Sequence, residues 1–459
     1  MSNNVLFVTY HFPPDAAVGA LRSQKFVKYL PENGWQPYVL TLQDRFYPVH
    51  DNKRLEDIND AIVERTDFWR TPLQCLFDIR DVYIRKGNCQ RPEKIQINSM
   101  TSSSKKITRA PYIIRFLVGL NFLPDEYLYW FIPGFIKGVR MVRDNDIRHI
   151  FVSAPPSSSI ILAYLLAVWT GTSLVVDFRD PWMLSHQQGR ELFKPGVLIS
   201  GERALQRHIF KRTSAILTTN EFFRRAFLKE NPFLTAEQVH VVHNGFDSSD
   251  YPRLHQKVST GKYIISYLGT FYMKRTPENF LKGLSRFMQE KGLNEDDLEV
   301  KFIGDVGNAC GMPVDKMIRG AGLENVVRMI GTVDYVRALD FMCNSDLLLL
   351  LAPDQPYQIP AKTYEYMATK RPILVIADPG ATASLVEETH SGICVEPWDI
   401  QGMSVALHRL YDDYLHGGMS YVCDASRFER RVQAAQLATI LGNVEDAVAQ
   451  PLPAAAAIV

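Results

Sequence analysis

Several features that mark specialised protein classes are missing from this sequence of 459 residues. Its six cysteines include no Cys-X-X-Cys pair and no patterned histidine cluster beside one, which argues against a disulfide framework or a zinc module. The 51 Lys and Arg residues are balanced by 50 Asp and Glu residues, and the net charge of +1 argues against a nucleic-acid-binding protein. Apolar runs such as 160–169 fall short of the roughly 20 residues of a membrane-spanning helix. With no basic, cleavable leader, the sequence predicts a cytoplasmic protein with reduced thiols.

Short β-branched runs alternate with amphipathic stretches in two series, a pattern typical of βαβ units and parallel sheets. The first series contains the runs VLFVTY, PYVLTL, IRHIFVSA and SLVVDF. The second series, from about residue 262, contains the runs YIISYLG, LEVKFIG, VVRMIG, DLLLLLA, PILVIA and GICVE. The sequence therefore predicts an α/β protein with two Rossmann-like, doubly wound halves that face each other across a cleft.

Turn-forming residues in VHVVHNGFDSSDYP place the domain boundary near residue 250. We expect an N-terminal domain over 1–250, with an insertion at about 42–145 where the alternation breaks, and a C-terminal domain over 251–415. A helical segment over 416–449 is predicted to cross back to the N-terminal domain, and 450–459 to be a disordered tail.

Candidate site residues in the first half follow its predicted strands, because ligands of open parallel sheets bind outside the carboxyl ends of strands. Gly19 precedes a helix, whose N-terminus could receive a phosphate, and Arg22 could add positive charge. Asp177 and Arg179 follow a buried strand in VVDFRDPW. They are candidate catalytic residues, although an internal Asp–Arg pair that closes the loop is the alternative.

Candidates in the second half follow two further strands. Gly269, Thr270, Lys274 and Arg275 lie in YLGTFYMKRTPENF, where cations at a helix start suit a diphosphate. The stretch SDLLLLLAPDQPYQIPAKTYEYM continues from a buried run through Gln358 and Ile359 to a helix that Pro360 can start. Lys362 and Glu365 share one face of that helix and could pair, or they could face a diphosphate and the ribose diol of a nucleotide sugar.

Together these segments resemble the family 4 retaining glycosyltransferases of the GT-B fold, of the bacterial cell-surface polysaccharide type. The resemblance is carried by HFPPDAAVGALRSQKFVKYL, VVDFRDPW, HNGFD, YLGTFYMKRTPE and PDQPYQIPAKTYEYMATKRPIL. It implies an acceptor-side N-terminal domain and a C-terminal domain that holds the donor, with Glu365 on the ribose hydroxyls. Tyr357 stands where family members often carry a second Glu. Arg179 stands where many carry a His.

The resemblance implies transfer of a sugar from a nucleotide-diphosphate sugar to a glycan or lipid-linked glycan, with retention of configuration. Lys274 and Arg275 would neutralise the leaving diphosphate, so no metal or other cofactor is expected. The one DxD sequence, 144–146, is predicted to be a turn. A GT-B nucleotide-sugar 2-epimerase and a non-catalytic nucleotide-sugar-binding protein are the alternatives.

Residues 112–143 interleave aromatic, aliphatic and basic side chains. A buried helix pair is one interpretation of this pattern. The other is peripheral contact with the inner face of the plasma membrane, which would suit a lipid-linked acceptor.

Overall fold

The computed structural model describes residues 3–58, 61–68, 125, 127, 130–180, 196–251, 261–272, 274–418, 420, 421 and 423–448. These residues fall into two compact units. The first is drawn from residues 1–218, 227–242 and 434–459, and the second from 219–226 and 243–433.

A seven-stranded sheet forms the centre of the first unit. Its neighbouring strands are all parallel and follow the order β3-β2-β1-β4-β5-β6-β7. The strands are β1 (Asn4–Val8), β2 (Gln36–Leu42), β3 (Ile62–Thr66), β4 (His149–Ala154), β5 (Ser173–Phe178), β6 (Ala215–Thr218) and β7 (Val239–Val241). Every residue of β4 and β5 is buried, as expected for central strands covered on both faces.

Helices connect these strands in the first half of the chain. They are α1 (Val18–Tyr29), α2 (Phe131–Asp144), α3 (Ser158–Thr170), α4 (Gly196–Phe210) and α5 (Glu221–Glu230). The last helix that the structure describes returns to the same core, where its residues Leu437 and Leu441 are in one apolar cluster with Phe7 and Phe151 of the sheet.

The second unit has a six-stranded parallel sheet in the order β12-β9-β8-β13-β14-β15. Its strands are β8 (Tyr263–Leu268), β9 (Leu298–Ile303), β12 (Val327–Ile330), β13 (Leu347–Ala352), β14 (Ile373–Ala377) and β15 (Gly392–Val395), and a short hairpin pairs β10 (Asn308–Ala309) with β11 (Met312–Pro313).

The helices that follow are α6 (Glu278–Lys291), α7 (Val314–Gly320), α8 (Tyr335–Cys343), α9 (Ala361–Ala368), α10 (Ala381–Glu388), α11 (Ile400–Leu415) and α12 (Arg430–Val448). In both sheets the strand order reverses beside the first strand of the unit, between β1 and β4 and between β8 and β13. Ligands of doubly wound sheets bind outside the carboxyl ends of the strands at such reversals.

The predicted α/β class with two Rossmann-like halves is confirmed by these two sheets. Within the range predicted as an insertion, about 42–145, two elements belong to the regular α/β architecture. Strand β3 pairs with β2, and helix α2 leads into β4. Of the turn predicted at 144–146, Asp144 is the last residue of α2, and Asn145 and Asp146 form the turn, with Asp146 at a φ of 45°. Residues 69–124 and the tail over 450–459 lie outside the described residues.

Candidate functional site

The loops after β8 and β9 approach each other closely at the carboxyl edge of the second sheet. Gly269 has a φ of 138° and Gly304 a φ of 124°, both in the region that favours glycine. A side chain on Gly304 would collide with the carbonyl oxygen of Gly269, and one on Gly269 would collide with the ammonium group of Lys362. The two glycines therefore leave room for that ammonium group beside the end of β8.

Lys362, the second residue of α9, reaches across to β8. Its Nζ donates a hydrogen bond to the carbonyl oxygen of Leu268 and lies 4.7 Å from the ring centroid of Tyr267. Desolvation and the positive charge of Arg275 lower the pKa of Lys362 to about 7, against the opposing effect of Glu365. An anion bound here would restore the charged form of Lys362.

Arg275 is only 8% exposed, yet its guanidinium has no carboxylate partner among the described residues. Its Nη2 donates to Oε1 of Gln355 at 3.1 Å, and the guanidinium carbon lies 4.5 Å from the ring centroid of Tyr272. Its Nε is buried and has no hydrogen-bond partner in the part of the chain that the structure describes. A buried, unsatisfied donor of this kind is costly, and an anionic ligand would satisfy it.

Lys274 has a different environment from its neighbour Arg275. Its Nζ pairs with Oδ2 of Asp354 at 2.8 Å, and the two side chains are 72% and 65% exposed. Exposed pairs of this kind contribute little to stability. The charge of Arg275 thus acts on Lys362, whereas Lys274 is paired with Asp354 at the surface.

Glu365, one turn further along α9, does not form the alternative ion pair with Lys362. Its Oε1 accepts a hydrogen bond from the hydroxyl of Tyr335 at 3.2 Å, and its backbone carbonyl accepts one from Tyr251 at 3.0 Å. Desolvation raises the pKa of Glu365, against the opposing effects of the Tyr335 hydrogen bond, Arg430 and Lys362. Its second carboxylate oxygen makes no hydrogen bond with the described residues and can accept one from a ligand.

The remaining candidates of the second unit are Ile359, Gln358 and Thr270. Ile359 is buried in an apolar cluster with Leu350 and Tyr364, so its side chain belongs to the core. The carbonyl of Gln358 accepts from the Thr382 hydroxyl at 3.0 Å. Thr270 is exposed, and its carbonyl accepts from the hydroxyl of Tyr267 at 3.1 Å.

In the first unit, Arg22 and Asp177 form a buried ion pair. Arg22 Nη2 lies 2.8 Å from Asp177 Oδ1, and Arg22 Nε lies 2.9 Å from Asp177 Oδ2. Ser153 donates a further hydrogen bond to the carboxylate at 2.9 Å, and Arg22 donates one to the carbonyl of Val242 at 2.9 Å. Their side chains are 2% and 0% exposed, so this contact holds α1 against β5 and leaves neither side chain accessible to a ligand.

Arg179 connects three loops at the carboxyl edge of the first sheet. It follows β5, and its guanidinium donates to the carbonyls of Gly19, at the start of α1, and Pro155, after β4. Desolvation lowers the pKa of Arg179, and Asp180 and Asp177 oppose that effect. Arg179 and Gly19 thus meet, as their predicted positions at strand ends imply. The alternative interpretation, in which Asp177 pairs with Arg179 and closes the loop, does not hold, because Asp177 pairs with Arg22.

Sequence reasoning passed over two residues of the loop after β1. His11 Nδ1 lies 2.6 Å from Oδ2 of Asp15, and the Asp15 side chain is buried. The available signal was the spacing in His-Phe-Pro-Pro-Asp, which places a histidine and a carboxylate on either side of a proline pair.

Comparison with known structures identifies the architecture. Sucrose-phosphate synthase from Thermosynechococcus elongatus superposes with a TM-score of 0.62 and 12% identity, over 97% of this chain and 100% of that one. A glycosyltransferase from Rickettsia africae gives a TM-score of 0.58 and 12% identity, over 97% of this chain and 99% of that one. Anabaena HepE in complex with UDP-glucose gives a TM-score of 0.55 and 14% identity, over 98% of this chain and 100% of that one. The chain has the GT-B fold.

At the level of sequence, residues 262–413 of this GT-B chain match the family model described as Glycosyl transferases group 1. No curated protein matches the sequence. The matched range contains the second sheet from β8 to β15, and with it Gly269, Arg275, Lys362 and Glu365.

Proposed function

We propose that this GT-B protein is a glycosyltransferase that moves a sugar from a nucleotide-diphosphate sugar to a glycan or lipid-linked glycan. The observation that carries the proposal is the pair of cations, Arg275 and Lys362, at the carboxyl edge of the second sheet. The charge of Arg275 lowers the pKa of Lys362, and neither side chain pairs with a carboxylate among the described residues. These two cations suit a diphosphate, since one of them, Arg275, has a buried Nε–H with no acceptor among the described residues.

The donor-binding residues follow from this arrangement. Arg275 and Lys362 would bind the diphosphate, with the start of α9 beside it. The free carboxylate oxygen of Glu365 would accept a hydrogen bond from a ribose hydroxyl, which the family resemblance also implies. The match of residues 262–413 to Glycosyl transferases group 1 supports the same assignment, as does the UDP-glucose held by Anabaena HepE.

The chemistry requires charge neutralisation more than a covalent group on the protein. As the bond between the anomeric carbon and the diphosphate breaks, negative charge grows on the leaving diphosphate. Arg275 and Lys362 would stabilise that charge in a desolvated site, without a metal ion. Retention of configuration and a role in surface polysaccharide synthesis rest on the family resemblance.

A lipid-linked acceptor is supported by an apolar surface in the first unit. Ile132 and Ile136 of α2 and Trp169 of α3 are exposed, and Phe135 packs against Trp169 with ring centroids 6.0 Å apart. Among the described residues, no helix is both long and apolar enough to cross a membrane. A peripheral contact of this surface with a bilayer predicts that the protein sediments with lipid vesicles and that Trp169→Ser weakens this binding.

Thermal-shift measurements with a panel of nucleoside diphosphates and nucleotide sugars, including UDP-glucose, test the donor assignment. We expect stabilisation that Arg275→Ala and Lys362→Met reduce and that Lys274→Ala, the matched change at the exposed cation, leaves in place. The absence of stabilisation by every nucleotide would refute the proposal.

Product analysis then separates the alternatives. A transferase releases the nucleoside diphosphate and makes a glycosidic bond, whose configuration can be read by NMR. A 2-epimerase changes the sugar of the nucleotide sugar, and a binding protein changes nothing.

A further inference from the structure

The carboxylate of Glu365 is held by a tyrosine from another helix. The hydroxyl of Tyr335, the first residue of α8, lies 3.2 Å from Oε1 of Glu365 in α9. Burial raises the pKa of Tyr335, and the nearby charge of Glu365 adds to this effect. The hydroxyl therefore keeps its proton at any working pH and donates a hydrogen bond to the carboxylate. One oxygen of Glu365 is thus occupied within the protein.

The backbone that carries both side chains is fixed as well. Oδ1 of Asp334, the N-cap residue of α8, accepts a hydrogen bond from the amide of Arg337 at 3.0 Å, which fixes the start of that helix. The backbone carbonyl of Glu365 accepts one from the hydroxyl of Tyr251 at 3.0 Å. These contacts limit the orientations open to the carboxylate before a ligand binds. Such preorganisation lowers the cost of binding.

The other carboxylate oxygen of Glu365 is available to a ligand. Oε2 makes no hydrogen bond with the residues that the structure describes. A carboxylate oxygen accepts hydrogen bonds and donates none, so a hydroxyl satisfies it and a C–H group does not. In a desolvated site, an analogue without that hydroxyl would leave the acceptor without a partner, which is the physical basis of strong selectivity for a hydroxyl. Glu365 is therefore suited to distinguish a ribose from a deoxyribose.

We propose that Tyr335 is a positioning residue of the donor site. Its hydroxyl holds one oxygen of the Glu365 carboxylate and directs the other to a ribose hydroxyl, and the site selects ribonucleotides over deoxyribonucleotides as a result. This inference rests on the proposed function, in which Glu365 binds the ribose of the donor. Tyr335 acts through Glu365 and needs no contact with the nucleotide itself.

The groups around Glu365 determine how the carboxylate responds to pH. Desolvation raises its pKa, and the charge of Asp250 adds to that effect. The Tyr335 hydrogen bond, the largest of the opposing effects, and the charges of Arg430 and Lys362 lower the pKa. Without the Tyr335 hydroxyl, the pKa of Glu365 should rise further, because a hydrogen bond to the charged form favours that form. The carboxylate would then take up a proton at a higher pH, and a neutral carboxyl is the weaker acceptor.

A purely structural role of Tyr335 predicts a different response to one substitution. Tyr335→Phe keeps the ring, which packs against an apolar cluster of the second unit, and removes only the hydroxyl. A role in packing alone therefore predicts unchanged nucleotide selectivity in this variant. Tyr251→Phe is the matched control. The Tyr251 ring packs against the same cluster and burial also raises the pKa of its hydroxyl, but that hydroxyl bonds to the backbone of Glu365 rather than to the carboxylate.

Isothermal titration calorimetry at pH 7.5 measures the selectivity with UDP, ADP and GDP, each compared with its 2′-deoxy and 3′-deoxy counterparts. We expect the wild type to bind at least one deoxy counterpart of the preferred nucleotide about 5- to 150-fold more weakly. Tyr335→Phe should bind the ribonucleotide about 3- to 10-fold more weakly and lose most of that selectivity, whereas Tyr251→Phe should keep it. No selectivity in the wild type, equal selectivity in the wild type and Tyr335→Phe, or an equal loss in both variants would overturn the inference.

A second measurement requires no nucleotide. In protein labelled with ¹³C at glutamate, the side-chain carboxyl signal of Glu365, assigned by its loss in Glu365→Gln, should titrate at a higher pH in Tyr335→Phe than in the wild type. Tyr251→Phe should keep the wild-type midpoint. An equal midpoint in the wild type and Tyr335→Phe would overturn the inference. Failure of every nucleotide to stabilise the protein would instead refute the proposed function, whereas nucleotide binding with equal selectivity in the wild type and Tyr335→Phe would refute this inference alone.

Discussion

Nucleotide-sugar affinity should fall as the pH rises through neutrality, because of Lys362. In the unliganded protein, desolvation and the charge of Arg275 lower the pKa of this lysine to about 7. A diphosphate beside its ammonium group favours the charged form, so the pKa in the complex is higher. The complex then binds more protons than the free protein above pH 7, and linkage requires binding to weaken as protons become scarce.

The magnitude follows from that pKa. With a value of about 7, the charged fraction of Lys362 in the free protein is about 90% at pH 6 and about 3% at pH 8.5. If the bound lysine stays charged throughout, affinity should drop about 30-fold over this interval, with a limiting slope of about tenfold per pH unit. The phosphates of a nucleotide sugar are diesters that do not titrate in this range, which makes UDP-glucose a better probe than UDP.

Isothermal titration calorimetry measures both the affinity and the proton uptake, when repeated in buffers that differ in ionisation enthalpy. We expect uptake of close to one proton at pH 8.5 in the wild type. Lys362→Met should bind weakly with little dependence on pH, whereas Lys274→Met should keep the wild-type slope. A flat affinity in the wild type, or an unchanged slope in Lys362→Met, would show that Lys362 does not face the diphosphate.

Four further outcomes are expected. Glu365→Ala should weaken nucleotide binding by about 1–3 kcal/mol, measured by calorimetry, because a ribose hydroxyl loses its acceptor; unchanged affinity would sink the ribose assignment. Arg275→Ala should lower turnover by about 10²–10³ and affect donor affinity less, since charge on the diphosphate grows in the transition state; steady-state kinetics with unchanged kcat and only a higher KM would contradict this. Activity should survive EDTA, and a loss that magnesium or manganese restores would count against a metal-free mechanism. Asp177→Ala should reduce the free energy of unfolding by about 3–5 kcal/mol in urea denaturation, because it removes the carboxylate of a buried ion pair; a smaller change would mean that water or another group compensates.

Much of the fold was predictable because the strands of these sheets are short, continuous apolar runs. Leu347–Ala352 and Ile373–Ala377 are buried on both faces, so every residue in them is apolar. Such a continuous apolar run can be recognised as a strand without knowledge of its tertiary contacts. Strand β3, Ile62–Thr66, escaped prediction because it is an edge strand with partly exposed, charged residues in the sequence IVERT.

The pairing of charged groups was less predictable, because it joins residues that are far apart in sequence. Arg22 and Asp177 are separated by 155 positions, and their pairing depends on the meeting of α1 with the end of β5. Lys274 and Arg275 are likewise adjacent in sequence. Nothing in the sequence indicates that Lys274 is exposed and pairs with Asp354, whereas Arg275 is buried beside Tyr272. Local patterns identify strand ends, whereas tertiary packing determines which side chain faces inward.

The two buried arginines of the predicted site illustrate why partners matter more than residue type. Arg22 donates to both oxygens of Asp177, so its charge is compensated within the protein and a ligand would have to compete with a buried carboxylate. Among the described residues, Arg275 donates a hydrogen bond to the neutral amide oxygen of Gln355 and packs against the ring of Tyr272, and its Nε–H has no acceptor. Desolvation of such a cation is a cost to the free protein that an incoming diphosphate removes. The same physical reasoning therefore assigns Arg22 to the stability of the first unit and Arg275 to donor binding in the second.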